Sequence, residues 1–193
     1  RRTFVSLSAR GLGSLGLLAF ASALPFPART DAKGSDDPTP LGPPDANGLR
    51  LPPGFRSRIV ARSGQIVGGT DHVWHADPDG GAVFAAEDGG WVYVSNAEAL
   101  IAGAGGVGAI RFDAGARIVD AYSILSGTTR NCAGGRTPWQ RWLSCEEHPR
   151  GRVFECDPFR PGSQGEPRPA LGVFQHEAVA VDPVRRRLYL TED

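Results

Sequence analysis

The chain has 193 residues, and 21 Lys and Arg residues balance 21 Asp and Glu residues, so its formal net charge is zero. Apolar residues make up 40% of the chain and charged residues 22%, which is typical of a globular domain and not of a disordered chain. A neutral chain argues against nucleic acid as a partner and against an anionic membrane surface. Three cysteines, an odd number, argue against a full disulfide framework.

The first 28 residues have the order of an export signal. Arg1-Arg2 precedes Phe4, a weakly apolar, glycine-spaced run follows at residues 11–24, and Ala21-Ser22-Ala23 is a small-residue cleavage site. Paired arginines before Phe are typical of the twin-arginine (Tat) route, with an ordinary secretory signal or a short amphipathic helix as alternatives. The run is too short and too rich in glycine for a stable membrane span. We therefore expect residues 1–28 to be read by the Tat export machinery, and the protein to be periplasmic or secreted.

Residues 29–54 are rich in proline and hold few large apolar side chains, so we interpret them as a linker. The sequence contains no methionine and stops directly after a strand-like run. We therefore expect an N-terminal fragment of a longer domain, with its folded part at residues 55–193.

The hydrophobic pattern of residues 55–193 has a period of two and occurs in short runs. Weak strands are predicted at residues 57–60 and 65–67, one hairpin at residues 82–85 and 91–94, and a second hairpin at residues 109–113 and 118–125. No stretch sustains a helical period. The pattern therefore predicts an all-β fold.

One hairpin recurs in the chain. Residues 82–95 align without gaps on residues 178–191, 96 positions later (82 to 178), and Leu143-Ser144 lies near the midpoint. The repeating unit is therefore about 48 residues long and holds about four short strands. A strand-only repeat of that length is typical of a β-propeller blade, with chance similarity of hairpins in a β-sandwich as the alternative. We predict a β-propeller, here with two full blades and parts of others.

The blade repeat also predicts where polar groups gather. In a blade the first strand starts at the rim to which the second strand returns, so residues at these two places meet around the central channel. These places hold Asn96, Glu98, Asn131, Cys132, Glu146, Glu147, His176, Glu177, Glu192 and Asp193. Carboxylates that crowd together repel each other unless a cation lies between them, and thiolates and carboxylates are metal ligands. The pattern therefore predicts a metal site, although Glu146 by itself is interpreted as a solvated carboxylate at a strand end.

Two further predictions concern cysteine and tryptophan. Cys145 and Cys156 flank the turn at residues 148–151, so they are candidate cross-strand neighbours and, in an oxidising compartment, a candidate disulfide. The tryptophans of this region, Trp91, Trp139 and Trp142, are predicted to pack in the core or between blades.

The motifs RNCAGGRTPW, WLSCEE, GRVFECDP, HEAVAVDP and LYLTED, in this order, resemble the PhoX-like alkaline phosphatase family, and the resemblance covers residues 51–193. It implies a β-propeller exported by the Tat route, with an iron pair and calcium ions that hold phosphate. It implies that Cys132, Glu147 and Glu177 are iron ligands. Glu98 is implied as a calcium ligand, in a run that reads Asn96-Ala97-Glu98 where phosphatase members carry N-H-E-Y. Supporting roles near the metals are predicted for Asn96, Asn131, His176 and Glu146.

The resemblance thus predicts a metal-dependent phosphatase of the bacterial cell envelope that acts on a phosphorylated small molecule. Two alternatives from other classes remain: a calcium-binding propeller that recognises a ligand or partner without catalysis, and a propeller lactonase, which uses one calcium ion and no thiol ligand. The sequence assigns no catalytic residue and no physiological substrate.

Overall fold

The computed structural model describes residues 5–8 and 40–193. The described residues form two compact units, one of residues 5–8 and 60–193 and one of residues 40–59. The described part of the smaller unit, residues 40–59, holds one isolated bridge, between Pro44 and Arg50. The predicted export signal lies outside the described residues except for positions 5–8, and the predicted linker is described only from residue 40 onward.

The larger unit is built from short strands. They are β1 (Val5–Ser8), β2 (Pro78–Ala85), β3 (Trp91–Ala97), β4 (Gly105–Phe112), β5 (Ile118–Thr128), β6 (Asn131–Arg136), β7 (Trp142–Glu146), β8 (Val153–Cys156), β9 (Glu166–Pro167), β10 (His176–Asp182) and β11 (Arg187–Glu192). The only helix in the described ranges is a 3-10 turn at Pro169–Leu171, and none of those residues forms a helix able to cross a membrane. The predicted all-β class is confirmed.

The strands form three antiparallel sheets. Two sheets have four strands in chain order, β2-β3-β4-β5 and β6-β7-β8-β9, and the third has the order β1-β11-β10. Both predicted hairpins are confirmed, because β2 pairs with β3 and β4 pairs with β5. Tight turns close them: the Asp88 carboxylate accepts a hydrogen bond from the Gly90 amide at 3.0 Å, and the Asp113 carboxylate accepts one from the Gly115 amide at 2.9 Å.

The hairpin repeat is present with a one-residue difference. Ala82 pairs with Val94, whereas Leu190 pairs with Val179 and not with Ala178. The loop at residues 183–186 is one residue shorter than the loop at residues 86–90, which shifts β10 against β11. If β3 and β11 are superposed, as in the ungapped alignment, the equivalent residues of β2 and β10 therefore differ by one position from those that the alignment pairs.

The two weak strands predicted at residues 57–60 and 65–67 are wrong. Residues 57–60 lie in no strand, and residues 65–67 contribute only an isolated bridge between Ile66 and Val73. Glycines with positive φ, Gly64 at 72° and Gly69 at 82°, turn the chain on either side of this bridge and prevent a longer ladder.

The core lies between neighbouring sheets. One cluster joins the first two sheets and includes Phe84, Val94, Ile124 and Trp142. A second cluster joins the second and third sheets through Leu143, Val153, Val179 and Leu190. The second sheet is thus buried on both faces, which explains why β7 is buried throughout.

The strands β2, β6 and β10 each begin a hairpin, and β6 comes very close to both of the others. A Cβ atom placed on Gly80 of β2 would lie 2.6 Å from the Cα of Ala133 in β6. One placed on Gly135 of β6 would lie 2.0 Å from the carbonyl oxygen of Val179 in β10. Only glycine permits these approaches, so Gly80 lets β2 lie against β6 and Gly135 lets β6 lie against β10.

The predicted cross-strand neighbours Cys145 and Cys156 are not neighbours. Cys145 pairs with Val153, and Cys156 pairs with Trp142 at the other end of the ladder. The two side chains lie in different core clusters, on opposite faces of the sheet, and both thiols are free. The candidate disulfide is therefore wrong.

The tryptophan prediction is confirmed for two of the three residues. Trp142 is buried, and Trp91 stacks on Phe112 with 5.3 Å between ring centroids. Trp139 is instead 51% exposed, because it lies in the loop between β6 and β7 and donates a hydrogen bond to Glu155 at 2.8 Å.

Candidate metal site

The same irregularity occurs near the start of each first strand. Pro78 pairs with Ala97, Asn131 with Glu146, and His176 with Glu192, and in each ladder the register then shifts. The residue that follows each first partner sits at this bulge: Asp79, Cys132 and Glu177. The residue that follows each second partner leaves the strand end: Glu98, Glu147 and Asp193. A bulge re-aims a side chain, so each sheet offers a pair of potential ligands at an equivalent place.

Three of these side chains converge. Ligand atoms of Asp79, Glu98 and Cys132 all lie within 4.8 Å of one another, and the Cys132 Sγ atom lies 3.7 Å from Asp79 Oδ2. They come from two sheets, since Asp79 and Glu98 flank the β2–β3 ladder and Cys132 lies on β6. The structure thus joins two predicted ligands, Glu98 and Cys132, to a third residue that the sequence analysis did not name.

The other two predicted ligands, Glu147 and Glu177, are not among the three converging groups. Glu147 is 8% exposed, its carboxylate raises the pKa of the Cys132 thiol, and its backbone amide donates to the Arg130 carbonyl oxygen at 2.8 Å. Glu177 follows His176 at the start of β10 and is half-buried, but its carboxylate is not one of the three groups within 4.8 Å.

The electrostatics of the cluster disfavour negative charge. Burial raises the pKa of the Cys132 thiol far above its usual value, and the hydrogen bond with Glu147 and the charges of Asp79 and Glu98 raise it further. Burial also raises the pKa of Glu98, followed by its hydrogen bond with Asp79 and the charge of Glu147, while Arg130 opposes this rise. Groups that resist ionisation because they crowd together are stabilised as anions when a cation lies among them.

Asn96 positions the cluster. It is fully buried at the end of β3, and its amide nitrogen donates to the carbonyl oxygens of Cys132 at 3.1 Å and Ala133 at 2.7 Å. Its amide oxygen accepts from Trp142 Nε1 at 2.8 Å and from Ser144 Oγ at 2.9 Å. One amide therefore ties the first sheet to the bulge that carries the thiol.

Asn131 continues this network on the other side of Cys132. Its side-chain nitrogen donates to Ser144 Oγ at 2.9 Å, and its oxygen accepts from Thr128 Oγ1 at 2.6 Å. Both bonds are buried, so the backbone on either side of the thiol is held by satisfied polar groups.

Glu146 was predicted to be solvated, and this is wrong. It is 4% exposed, and its two carboxylate oxygens accept hydrogen bonds from the backbone amides of Thr129 at 3.0 Å and Arg152 at 3.1 Å. Alternation along β7 directs it to these loops, and Glu147 beyond the strand end takes the position beside the thiol.

His176 is fully buried, and its ring packs on Phe174 with 3.7 Å between centroids. Its Nε2 atom lies 3.4 Å from the Gly172 carbonyl oxygen, and burial lowers the pKa of the ring. The residue thus packs against the turn before β10, next to Glu177 in the chain.

Sequence reasoning missed Asp79 and Arg130. Asp79 was within reach, because extending the predicted pairing of Ala82 with Val94 outward in register brings Asp79 opposite Ala97, next to Glu98, although the bulge then places Pro78 there instead. Arg130 carried no signal in the sequence, since its place between two carboxylates depends on how two sheets pack.

The donor set fits a metal ion. Carboxylate oxygens suit calcium, a thiolate suits iron, and both types lie together here on rigid strand ends. Bound cations would also offset the crowding that raises the pKa values of Glu98 and Cys132.

The family model described as alkaline phosphatase PhoX matches residues 95–152 and 148–193, which is more than half of the chain. Comparisons with curated proteins and with solved structures found no match. The match covers the predicted motifs from Asn96 to the end of β11, and PhoX proteins depend on metals. The chain belongs to the PhoX alkaline phosphatase family.

Proposed function

We propose that the protein is a metal-dependent phosphatase that hydrolyses phosphomonoesters where the first sheet meets the second. The observation that carries the proposal is the convergence of Asp79, Glu98 and Cys132 from two sheets, in a member of an alkaline phosphatase family. The substrate class that follows is a phosphorylated small molecule.

The proposed metals are iron and calcium. Cys132 and Glu147, with Glu177 from the third sheet, are proposed to hold iron, and Glu98 is proposed to hold calcium together with Asp79. Such cations, when bound, neutralise phosphate oxygens and lower the pKa of a coordinated water. The chain itself supplies the rigid frame, through the buried amides of Asn96 and Asn131.

The three sheets are proposed to be successive blades of a β-propeller. Support comes from the chain-order meander of the two four-stranded sheets, from the close approach of β2, β6 and β10, and from a bulge at the equivalent place in each first strand. Radial repetition of four-stranded sheets about a channel is the architecture that these features fit.

Export through the Tat route to the periplasm or beyond is proposed from Arg1-Arg2 and the cleavage site of residues 1–28. The proposed boundaries are a linker at residues 29–54 and the blades at residues 55–193. Replacement of Arg1-Arg2 by two lysines should retain the protein in the cytoplasm, as measured by cell fractionation; unchanged export would contradict the Tat assignment.

The test of function compares two thiols. Cys132→Ser should remove iron, measured by elemental analysis, together with hydrolysis of a chromogenic aryl phosphate. Cys145→Ala should preserve both, because Cys145 lies in the apolar core between the second and third sheets. Unchanged iron and activity in Cys132→Ser would refute the site.

The Cys132 thiol also distinguishes the proposed phosphatase from the two alternatives, a propeller lactonase and a calcium-binding propeller without catalysis. A lactonase of propeller type has no use for a thiol ligand, whereas Cys132 lies within 4.8 Å of two carboxylates. If the purified protein contains calcium but no iron and hydrolyses a lactone, the lactonase alternative is correct and the phosphatase proposal is wrong. Calcium without any turnover would favour a binding protein.

A further inference from the structure

Arg130 lies between the carboxylates of two sheets. Its NH2 nitrogen is 3.5 Å from Glu98 Oε1 and 3.9 Å from Glu147 Oε1. Within residues 5–8 and 40–193 it is the only cationic side chain that pairs with either carboxylate. Glu98 belongs to the candidate metal cluster, and Glu147 is a predicted iron ligand whose backbone amide donates to the Arg130 carbonyl oxygen.

The backbone of Arg130 is fixed, but its side chain is held loosely. The residue has a φ of 49°, in the left-handed region that non-glycine residues rarely adopt, and its carbonyl oxygen accepts from the Glu147 amide at 2.8 Å. Both ion pairs exceed the 2.7–2.9 Å that is typical of a strong charge-assisted hydrogen bond. The buried Nε atom has no hydrogen-bond partner among the described residues.

A tight structural ion pair would use the planar fork of the guanidinium and satisfy its donors. Arg130 instead contacts two carboxylates through one nitrogen at long distances. This geometry suits a counter-ion that neutralises the carboxylates and can be displaced by another cation.

We propose that Arg130 substitutes for the metal in the metal-free protein and becomes a phosphate-binding residue once a cation displaces it. The inference rests on the proposed function and deepens it. Cations at this site, calcium on Glu98 and iron on Glu147, would take over the neutralising role and repel the guanidinium. The freed guanidinium, anchored by its fixed backbone beside Cys132, then presents its donors to an anionic phosphate oxygen.

Two binding constants change in opposite directions if this is so. Arg130→Gln should bind Ca²⁺ about tenfold more tightly than the wild-type chain, because a competing positive charge has been removed from beside the site. The Ca²⁺-loaded variant should bind inorganic phosphate about tenfold more weakly, because it lacks a charged donor. A purely structural role would weaken both. Isothermal titration calorimetry on metal-stripped protein measures the first constant, and the same protein saturated with Ca²⁺ gives the second.

Arg130→Lys keeps the charge and should keep Ca²⁺ affinity near the wild-type value while it recovers part of the phosphate affinity. Arg117→Gln removes an equal charge at an exposed turn, where Arg117 pairs with Asp113, and should change neither constant. Unchanged or weaker Ca²⁺ binding by Arg130→Gln overturns the inference. Wild-type protein that binds Ca²⁺ and phosphate as expected but hydrolyses no phosphomonoester overturns the proposed activity alone, and wild-type protein that binds no Ca²⁺ overturns both.

Discussion

At the scale of single residues, Asn96 illustrates how a buried amide supports a site. It satisfies two backbone carbonyls of β6 and accepts from two side chains of β7. The Asn side chain can do this because its amide nitrogen has two hydrogens to donate and its amide oxygen can accept two bonds. The residue therefore acts through geometry, since it holds the bulge that carries Cys132.

Asn96→Asp should lower the free energy of unfolding by about 3 kcal/mol or more, because a carboxylate faces the Cys132 and Ala133 carbonyl oxygens with no donor for either. Urea denaturation measures the change. Ser126→Ala is the control, since its hydroxyl bonds to exposed Gln164 and its loss should cost under about 1 kcal/mol. Equal stability of Asn96→Asp and the wild type would contradict the assigned role.

His75 is a second residue whose surroundings fix a measurable property. Its ring packs on Trp74 with 4.3 Å between centroids, and its Nε2 atom lies 3.2 Å from Ser95 Oγ. Its Nδ1 atom is buried against Gly108, where an added Cβ would lie 2.6 Å away. Burial lowers the pKa of His75 to about 4.

This pKa predicts a dependence of stability on pH. The stabilising contribution of neutral His75 is complete above pH 6.5 and is lost as the pH falls toward 4, because the unfolded chain then takes up a proton that the folded ring does not. The expected loss is up to about 3 kcal/mol. Urea denaturation between pH 7.5 and pH 4 should show a shallower decline for His75→Gln. Parallel curves for variant and wild type would exclude the ring as the cause.

At the scale of elements, glycine decides how closely first strands approach. Gly135→Ala should destabilise the protein by about 2 kcal/mol or more, because its Cβ would lie 2.0 Å from the Val179 carbonyl oxygen and force β6 and β10 apart. Gly68→Ala is a matched control, with nothing within 4 Å of the added atom. Thermal denaturation compares the two, and a variant at Gly135 as stable as the one at Gly68 would disprove the close contact.

The β7–β8 ladder predicts the state of the cysteines. Cys145 and Cys156 lie on opposite faces of their sheet, so oxidation cannot join them without breaking the ladder. Alkylation after unfolding without reductant should label three thiols, by mass spectrometry. Brief alkylation of the folded protein without added metal should label Cys132 first, since it alone of the three is not buried. A missing pair of labels would reveal a disulfide.

At the scale of the whole molecule, the proposed metals cross-link sheets. Asp79 and Glu98 belong to the first sheet, and Cys132 belongs to the second. Because Ca²⁺ binds the folded site and not the unfolded chain, Ca²⁺ at 100 times its dissociation constant should raise the free energy of unfolding by about 2.7 kcal/mol. Differential scanning calorimetry with added Ca²⁺ measures the effect. Glu98→Gln should reduce it strongly, whereas Glu166→Gln, on an exposed edge strand, should leave it intact. A calcium effect that survives Glu98→Gln would place the ion elsewhere.

The local hydrophobic pattern was sufficient to predict those strands that are long and that alternate clearly between apolar and polar residues. The hairpins β2–β3 and β4–β5 follow from period-two hydrophobicity around polar turns. Residues 57–60 and 65–67 share a weak version of that pattern, but they have no long partner strand. A strand is stable only with such a partner, and partners are a property of the fold.

The sequence by itself determined the all-β class, the recurrence of the hairpin and the motifs around Cys132 and Glu147, because each of these is a local pattern. Only the tertiary structure decided that Asp79 joins Glu98 and Cys132, that Glu146 turns to backbone amides, and that Arg130 lies between two carboxylates. These features depend on bulges that re-aim side chains and on the packing of one sheet against the next. A difference of one residue in register, as between the two repeated hairpins, changes which side chains meet, and residue identities alone do not specify it.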